Sequence, residues 1–385
     1  MPEIYWLLLL LAAAMGWYLA YIIYRNKEQP KIPGEYLKGL NYLLNEQPDK
    51  ALEVFIDLVD VDSETVETHL VLGNMFRRRG EVDRAIRIHQ NLIARPALES
   101  IYKSTALLEL AKDYLKAGLL DRAETLFLEV IQLGHQTDEA YPLLLGLYEQ
   151  EKEWHKAVET AKKLEKVSGK RMNQVIAHYC CELSQLEYEK SAEHIFEAKK
   201  YAKKALSTDK NCARASKLLG DYAMHEEAYK LAIKYYKQVA KQNPDYLLQV
   251  LLKLREAYIK QDDQRGLKDF LTKIKNSEFA GLSLTALLED LSEDDEEKKM
   301  IVNWLFEKSE LSLLEVDAFL KSNQYNVEPL NEFNLDKIRL GVENFIQGRN
   351  THQCKQCGFR GKAMYWQCPG CHNWGSVVPV TPTLN

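Results

Sequence analysis

The chain is predicted to be all-α: a solenoid of paired helices, preceded by an apolar spanning helix and followed by a small four-cysteine metal module. Three observations carry this. Residues 4–24 contain no charged side chain, a pattern of small, aromatic and alanine positions recurs through the middle, and four cysteines crowd into residues 354–371. The expected organisation is a transmembrane anchor at 1–24, a juxtamembrane linker at 25–34, repeats at 35–275, degenerate helical repeats and linker at 276–349, and the metal module at 350–385.

The run Ile4–Tyr24, IYWLLLLLAAAMGWYLAYIIY, is long enough to cross a bilayer core of roughly 30 Å as one helix. A cleaved signal peptide ending near Ala12-Ala13-Ala14 is the competing reading. Against it, Met1-Pro2-Glu3 carries no cation, and the apolar run continues ten residues past the alanines. Arg25, Lys27 and Lys31 follow the span while only Glu3 precedes it, so the bulk of the chain is expected on the cytoplasmic side. Ala12, Gly16 and Ala20 recur every fourth residue, a spacing that lets a second helix approach closely and admits a homo-oligomer; chance placement of small residues is the plainer reading.

In the middle, a small residue is followed by an aromatic at +3, Ala at +12 and a large residue at +16. Gly39, Tyr42, Ala51 and Phe55 open the series; Gly73, Phe76, Ala85 and His89 repeat it 34 residues on, and Ala111, Tyr114, Ala123 and Phe127 follow. Leu145, Tyr148, Ala157 and Ala161 form a weaker copy, and Leu186, Ala198 and Ala202 a weaker one still. Gly220, Ala223, Ala232 and Tyr236 form another, with Pro244 closing it; Arg255, Tyr258, Leu267 and Leu271 form the last. This is the tetratricopeptide signature. A single hairpin cannot bury its own face, so neighbours stack, leaving a groove lined by the first helix of each pair. The drift in spacing predicts lengthened helices or a longer turn across Ile176–Glu197. Leu282–Leu291, Glu296–Lys308 and Leu313–Ser322 read as further short amphipathic helices, with the acidic stretch 289–297 a solvated turn and helix start.

Composition narrows the function classes. A net charge of -5 gives no global sign of nucleic-acid or anionic-lipid binding. The nine histidines are scattered, with no HExxH pair, phosphate-cradling loop or nucleophile elbow, so no enzyme is expected. Arg77-Arg78-Arg79 reads first as a helix C-terminus complementing its dipole, and second as a docking patch. His225-Glu226-Glu227 reads as a surface turn. Cys180, Cys181 and Cys212 show no pairing logic, and with four other cysteines in a metal pattern they suit a reducing compartment.

The remaining chemistry is Cys354-x2-Cys357 and Cys368-x2-Cys371, two tight turns that aim four thiolates at one tetrahedral ion, zinc or iron. Gly358 suits the first turn. His372 stands where a second glycine is expected, which predicts two inequivalent turns. Phe359, Tyr365, Trp366 and Trp374 are the expected core of the module, and His352 and His372 are expected outside the ligand shell.

The terminal sequence Cys354-Lys355-Gln356-Cys357-Gly358-Phe359 with Trp366-Gln367-Cys368-Pro369-Gly370-Cys371-His372-Asn373-Trp374-Gly375-Ser376, behind an anchor and a repeat array, resembles the lipopolysaccharide assembly protein B (LapB) family. The resemblance covers the whole chain. It implies a single-pass protein of the Gram-negative inner membrane that acts as an adaptor between the protease FtsH and the deacetylase LpxC, restrained by a PbgA/LapC-type membrane partner. It implies a rubredoxin-like, zinc-ribbon module packed on the repeats, with Cys354, Cys357, Cys368 and Cys371 as ligands. Two alternatives stand beside it: a four-thiolate iron redox protein, and a zinc-ribbon nucleic-acid binder. For the second, Lys355, Arg360 and Lys362 are the module's few cations after its first cysteine, and no nucleic-acid partner is expected.

Overall fold

The computed structural model describes residues 13–21, 34–275 (except 46, 48, 49, 52, 55–62, 97, 192 and 193), 287, 296–306, 342 and 350–380. Residues 13–21 are helical and exposed, with Trp17 stacked on Tyr21 at 5.9 Å between ring centroids. The rest of the expected span, 4–12 and 22–24, lies outside the described residues. Among the described residues no helix is long and apolar enough to cross a membrane, so the expected spanning helix is not found as such. Its support is the apolar sequence itself.

Paired helices follow: α1 (Gly34–Leu44), α2 (Ser63–Arg78) with α3 (Val82–Ile93), α4 (Ser100–Lys116) with α5 (Leu120–Leu133), α6 (Thr137–Gln150) with α7 (Trp154–Ser168). Then come α8 (Asn173–Lys190) with α9 (Ile195–Thr208), α10 (Ala213–His225) with α11 (Tyr229–Gln242), a 3₁₀ turn (Pro244–Gln249), and α12 (Leu251–Lys260) with α13 (Gln264–Lys275). α14 (Glu296–Phe306) covers most of one predicted late helix; the other two lie outside the described residues apart from Leu287. The chain divides into two compact units after Leu143, inside α6.

The repeat positions explain the hairpins. The alanine at +12 is fully buried in each copy that has it: Ala51, Ala85, Ala123, Ala157, Ala198 and Ala232. A Cβ on Gly73 would stand 2.4 Å from His89 Nε2, and one on Gly220 would stand 2.4 Å from the Tyr236 ring, so the small position exists because the large residue sixteen later occupies its space. One copy exchanges the sizes: buried Leu145 is paired in register with fully buried Ala161. Conserving volume across a crossing is what a packed interior tolerates best. That copy looks weak in sequence because size has moved from one helix to the other, whereas in the copy at Leu186 the leucine is exposed and only Ala198 and Ala202 keep the buried pattern.

One backbone feature recurs as well. Seven residues after the small position, the chain takes positive φ: Gly80, Gly118, Lys152, Glu227 and Asp262. The next N–H then reaches back to the carbonyl of the +3 residue, as Glu81 to Phe76 (2.9 Å), Glu153 to Tyr148 (2.9 Å) and Asp263 to Tyr258 (3.0 Å). That is a Schellman closure, which ends one helix and aims the next. α8 is 18 residues long, the longest of the described helices, in agreement with the lengthening expected there.

Unit 1 also buries charge. Arg77 donates to Asp113 Oδ1 (2.9 Å), Glu109 Oε2 (2.6 Å) and Asn74 Oδ1 (2.6 Å), and His89 Nδ1 meets Asp113 Oδ2 at 2.5 Å with both side chains fully buried. Burial pushes the Glu109 carboxyl up, but hydrogen bonds from Lys112 and Arg77 outweigh it and hold it below its usual range. Arg77 and Arg78 do lie in the last turn of α2, as the helix-end reading expects, but Arg77 is also a partner in a buried network between hairpins. His89, read as a size-filling residue, is also one of its members.

Two mid-helix glycines should respond oppositely to alanine. Gly73→Ala drives its methyl into the His89 ring and is expected to destabilise by about 1–3 kcal/mol. Gly146, exposed in α6 with nothing within 4 Å of a new Cβ, should gain about 0.4–1 kcal/mol. Thermal unfolding of the two variants checks this, and shifts of the same sign would refute the packing account.

Candidate metal centre

Residues 352–379 form a three-stranded antiparallel sheet in the order β2-β1-β3, with β1 (His352–Cys354), β2 (Arg360–Gly361) and β3 (Val377–Pro379). The β1–β2 hairpin holds the first cysteine pair. A second hairpin, marked by the Gln367–Trp374 bridge, holds the other. The four Sγ atoms of Cys354, Cys357, Cys368 and Cys371 lie within 4.8 Å of one another, an arrangement that can hold one metal ion. Neither His352 nor His372 belongs to the cluster.

The two cysteine turns are equivalent in backbone, contrary to expectation. Gly358 has φ +74 and His372 φ +56, and each donates its N–H to the carbonyl four residues back, at 3.0 and 2.9 Å. A histidine thus accepts the left-handed conformation that a glycine takes freely, at a cost of about 1–2 kcal/mol. Backbone N–H groups point at sulfur, Gln356 at Cys354 and Gly370 at Cys368, both 3.4 Å. Burial pushes the Cys354 thiol up, but the Ser376 hydroxyl and the N–H groups of Cys357 and Gln356 outweigh it and bring it down to about 6. Cys357 is shifted the other way: the N–H of Phe359 draws it down, but burial and the adjoining thiols outweigh that and push it up to about 12, so the fit to an ion rests on the closeness of the four sulfurs. The donor set therefore fits an ion, whose part would be to cross-link the two hairpins.

The expected aromatic core is only partly right. Phe359 packs with Cys354, Cys368 and Val377, and half-exposed Tyr365 meets Phe359 edge-on at 6.2 Å. Trp366 and Trp374 instead face the repeats. Trp374 is stacked on His178 at 5.1 Å, meets Trp154 and Tyr179 edge-on, and donates its indole N–H to Glu149 Oε1 at 3.2 Å. The same carboxylate accepts from the Tyr179 hydroxyl (2.5 Å) and, through Oε2, from Gln367 (3.1 Å). Arg214, nearly fully buried, lies over both indoles at 5.7 and 5.8 Å and is held by Glu182 (2.7 Å) and Gln185. Tyr246 donates to the Gly375 carbonyl at 2.7 Å, and Lys355 pairs with Asp245 at 2.6 Å.

The seat is thus built mainly from the first helices α6, α8 and α10, the groove side of unit 2. Gly375, at φ +62, passes so close that a Cβ there would stand 3.2 Å from His178 Nε2. None of the seat residues stands out in sequence, since each is an ordinary polar or aromatic residue of an amphipathic helix. Two of the other cysteines were also missed as neighbours: Cys181 on α8 and Cys212, the residue capping α10, meet at 3.8 Å between sulfurs.

Burial, then the nearby Arg214 guanidinium, push the His178 imidazole from 6.5 down to about 3. A histidine lowered in the folded state binds protons better when unfolded. The fold around His178 therefore keeps the full contribution of the neutral imidazole above pH 6.5 and loses it as pH falls from 6.5 towards 3, by about 1.4 kcal/mol per unit. Native protein should lose more stability between pH 7 and 5 than His178→Gln does; equal losses in thermal unfolding would sink this. Trp374→Ala removes the seat's anchor and should cost about 2–4 kcal/mol of docking. Hydrogen exchange in residues 173–190 should rise while metal content stays at the native level; unchanged exchange would contradict the assigned role.

Known families and relatives agree with this architecture. The family described as "Rubredoxin metal binding domain" matches residues 352–379, and "Tetratricopeptide repeat" matches 36–98 and 191–246. Lipopolysaccharide assembly protein B of Haemophilus influenzae is 33% identical over 400 residues, covering 99% of both chains. The protein of that name from Escherichia coli K12 is 32% identical over 390 residues, covering 99% of this chain and 98% of its own. Among solved structures, the MamA protein matches with TM-score 0.32 and 23% identity over 48% of this chain and 95% of its own, too loose a fit to argue from. With repeats, metal module and full-length relatives in agreement, the chain belongs to the lipopolysaccharide assembly protein B family.

Proposed function

We propose that this protein is a non-enzymatic adaptor in the control of lipopolysaccharide assembly, tethered to the inner membrane by residues 4–24 with its repeats on the cytoplasmic side. The observation that carries the reading is full-length similarity to proteins named for lipopolysaccharide assembly, on a chain built as a repeat array with a four-cysteine module seated on it. The finer mechanism follows from the family resemblance: the adaptor brings the deacetylase LpxC to the protease FtsH, and a PbgA/LapC-type membrane protein restrains it. Tethering does the work by effective concentration. Confinement beside a membrane protease lets weak contacts deliver a substrate, because the second binding event becomes intramolecular. The ion, zinc or iron, serves this scheme structurally by keeping the module folded on the repeats.

Deleting residues 1–24 should leave the repeats folded, as judged by circular dichroism, yet abolish control of LpxC level at native expression. Affinity capture of the full-length protein from membranes should recover FtsH and LpxC together. A tether-less protein that still lowered LpxC at native level would overturn the tethered mechanism.

A further inference from the structure

The net charge of -5 hides a local excess of the opposite sign. The second helices of three successive hairpins, α7, α9 and α11, carry four lysines each and only three carboxylates between them, with no arginine. α11 has no carboxylate at all. Its Lys230, Lys234, Lys237 and Lys241 step by four, three and four residues, so they form one stripe along one helical face, and all four are exposed. Like charges at this spacing destabilise a helix, and a solvated surface usually relieves them with interleaved acids. Here that relief is missing: among the described residues none of the four has an ion-pair partner. Exposed Lys203 and Lys204 on α9 and Lys162 and Lys166 on α7, likewise without ion pairs there, continue the face.

Apolar side chains stand exposed among these lysines. Phe196, 73% exposed, lies one turn before Lys199 and Lys200 on α9; Leu231 adjoins Lys230, and Val167 adjoins Lys166. Among the described residues the metal module's ring contacts and hydrogen bonds fall on α6, α8, α10 and the 3₁₀ turn, and from the second helices they take Trp154, the first residue of α7.

We propose that the lysine face of α7, α9 and α11 docks on an anionic phospholipid surface. Lysines with long apolar stems place ammonium groups among lipid phosphates, while isolated Phe, Leu and Val side chains enter the headgroup boundary. A nucleic-acid surface would favour arginine forks, which are absent from these three helices. This goes beyond the adaptor reading and does not depend on LpxC or FtsH, so either can fail alone.

The test uses full-length protein in nanodiscs of phosphatidylcholine alone or with added phosphatidylglycerol, with an amine-reactive label mapped by mass spectrometry. Labelling of the α11 stripe should slow about fivefold or more in the anionic discs, in proportion to the gain expected per lysine at such a surface, and recover at high salt. Changing Lys230, Lys234, Lys237 and Lys241 together to Gln should leave the melting profile in place and abolish protection of Lys203 and Lys204. Equal labelling in the two discs, or protection that survives the fourfold change, would overturn the proposal. Protection conferred by a single-stranded oligonucleotide and not by anionic discs would reassign the face to nucleic acid.

Discussion

The burial of one indole organises unit 2. Trp374 enters a seat whose other members, Arg214, His178 and Glu149, are groups that ordinarily seek water. A buried guanidinium is costly unless its charge is compensated, and here compensation comes from Glu182, Gln185 and the faces of two tryptophans. Glu149 is satisfied from both sides, by Tyr179 of the repeats and by Trp374 and Gln367 of the module. Neither partner is complete alone. Without the module, Arg214 and Glu149 lose part of their pairing; without the repeats, Trp366 and Trp374 are apolar surface on a module too small to bury them.

The link from metal to groove is short. Ser376 Oγ lies 3.3 Å from Cys354 Sγ, Gly375 allows close passage over His178, and Trp374 fills the seat. Three consecutive residues therefore connect the sulfur cluster to the repeat surface. An ion held by the four cysteines would cross-link the two hairpins and so fix the second one, and with it the direction of the indole. In this arrangement the cluster acts on the repeats through geometry, with no need for electron transfer.

Much of this was legible in sequence, and the exceptions have physical causes. The hairpins were legible because a close crossing leaves size marks at fixed positions, Gly73 against His89 and Gly220 against Tyr236. Where the sizes are exchanged, as at Leu145 and Ala161, the same packing rule holds but the signature fades. The positive-φ turn residue was read as a surface turn at His225-Glu226-Glu227 and not singled out at the other copies, because it is glycine at 80 and 118 but Lys152 and Asp262 elsewhere, and side chains tolerate that conformation at a modest cost. His372 misled for the same reason. The cysteine quartet was legible because metal geometry fixes its spacing. The seat was not, because its residues come together from α6, α8, α10 and the 3₁₀ turn, and pairing across more than a hundred residues leaves no local periodicity. Arg77 likewise reads as a helix end until Asp113 and Glu109 are brought beside it.

A filled groove constrains how an adaptor of this design can engage anything else. A segment seeking the first-helix surface of unit 2 would have to displace Trp374, and in doing so would leave Glu149, His178 and Arg214 to be paired by the newcomer. Few sequences offer an indole N–H for Glu149 and an aromatic face for Arg214 at once, so the module excludes generic ligands by occupying the site with a near-ideal one. Selectivity of this kind rests on a difference in affinity, and the resident module sets the level a competitor must exceed. Among the described residues the module leaves the exposed lysines of the second helices uncovered, and the unpaired stripe Lys230, Lys234, Lys237 and Lys241 lies there.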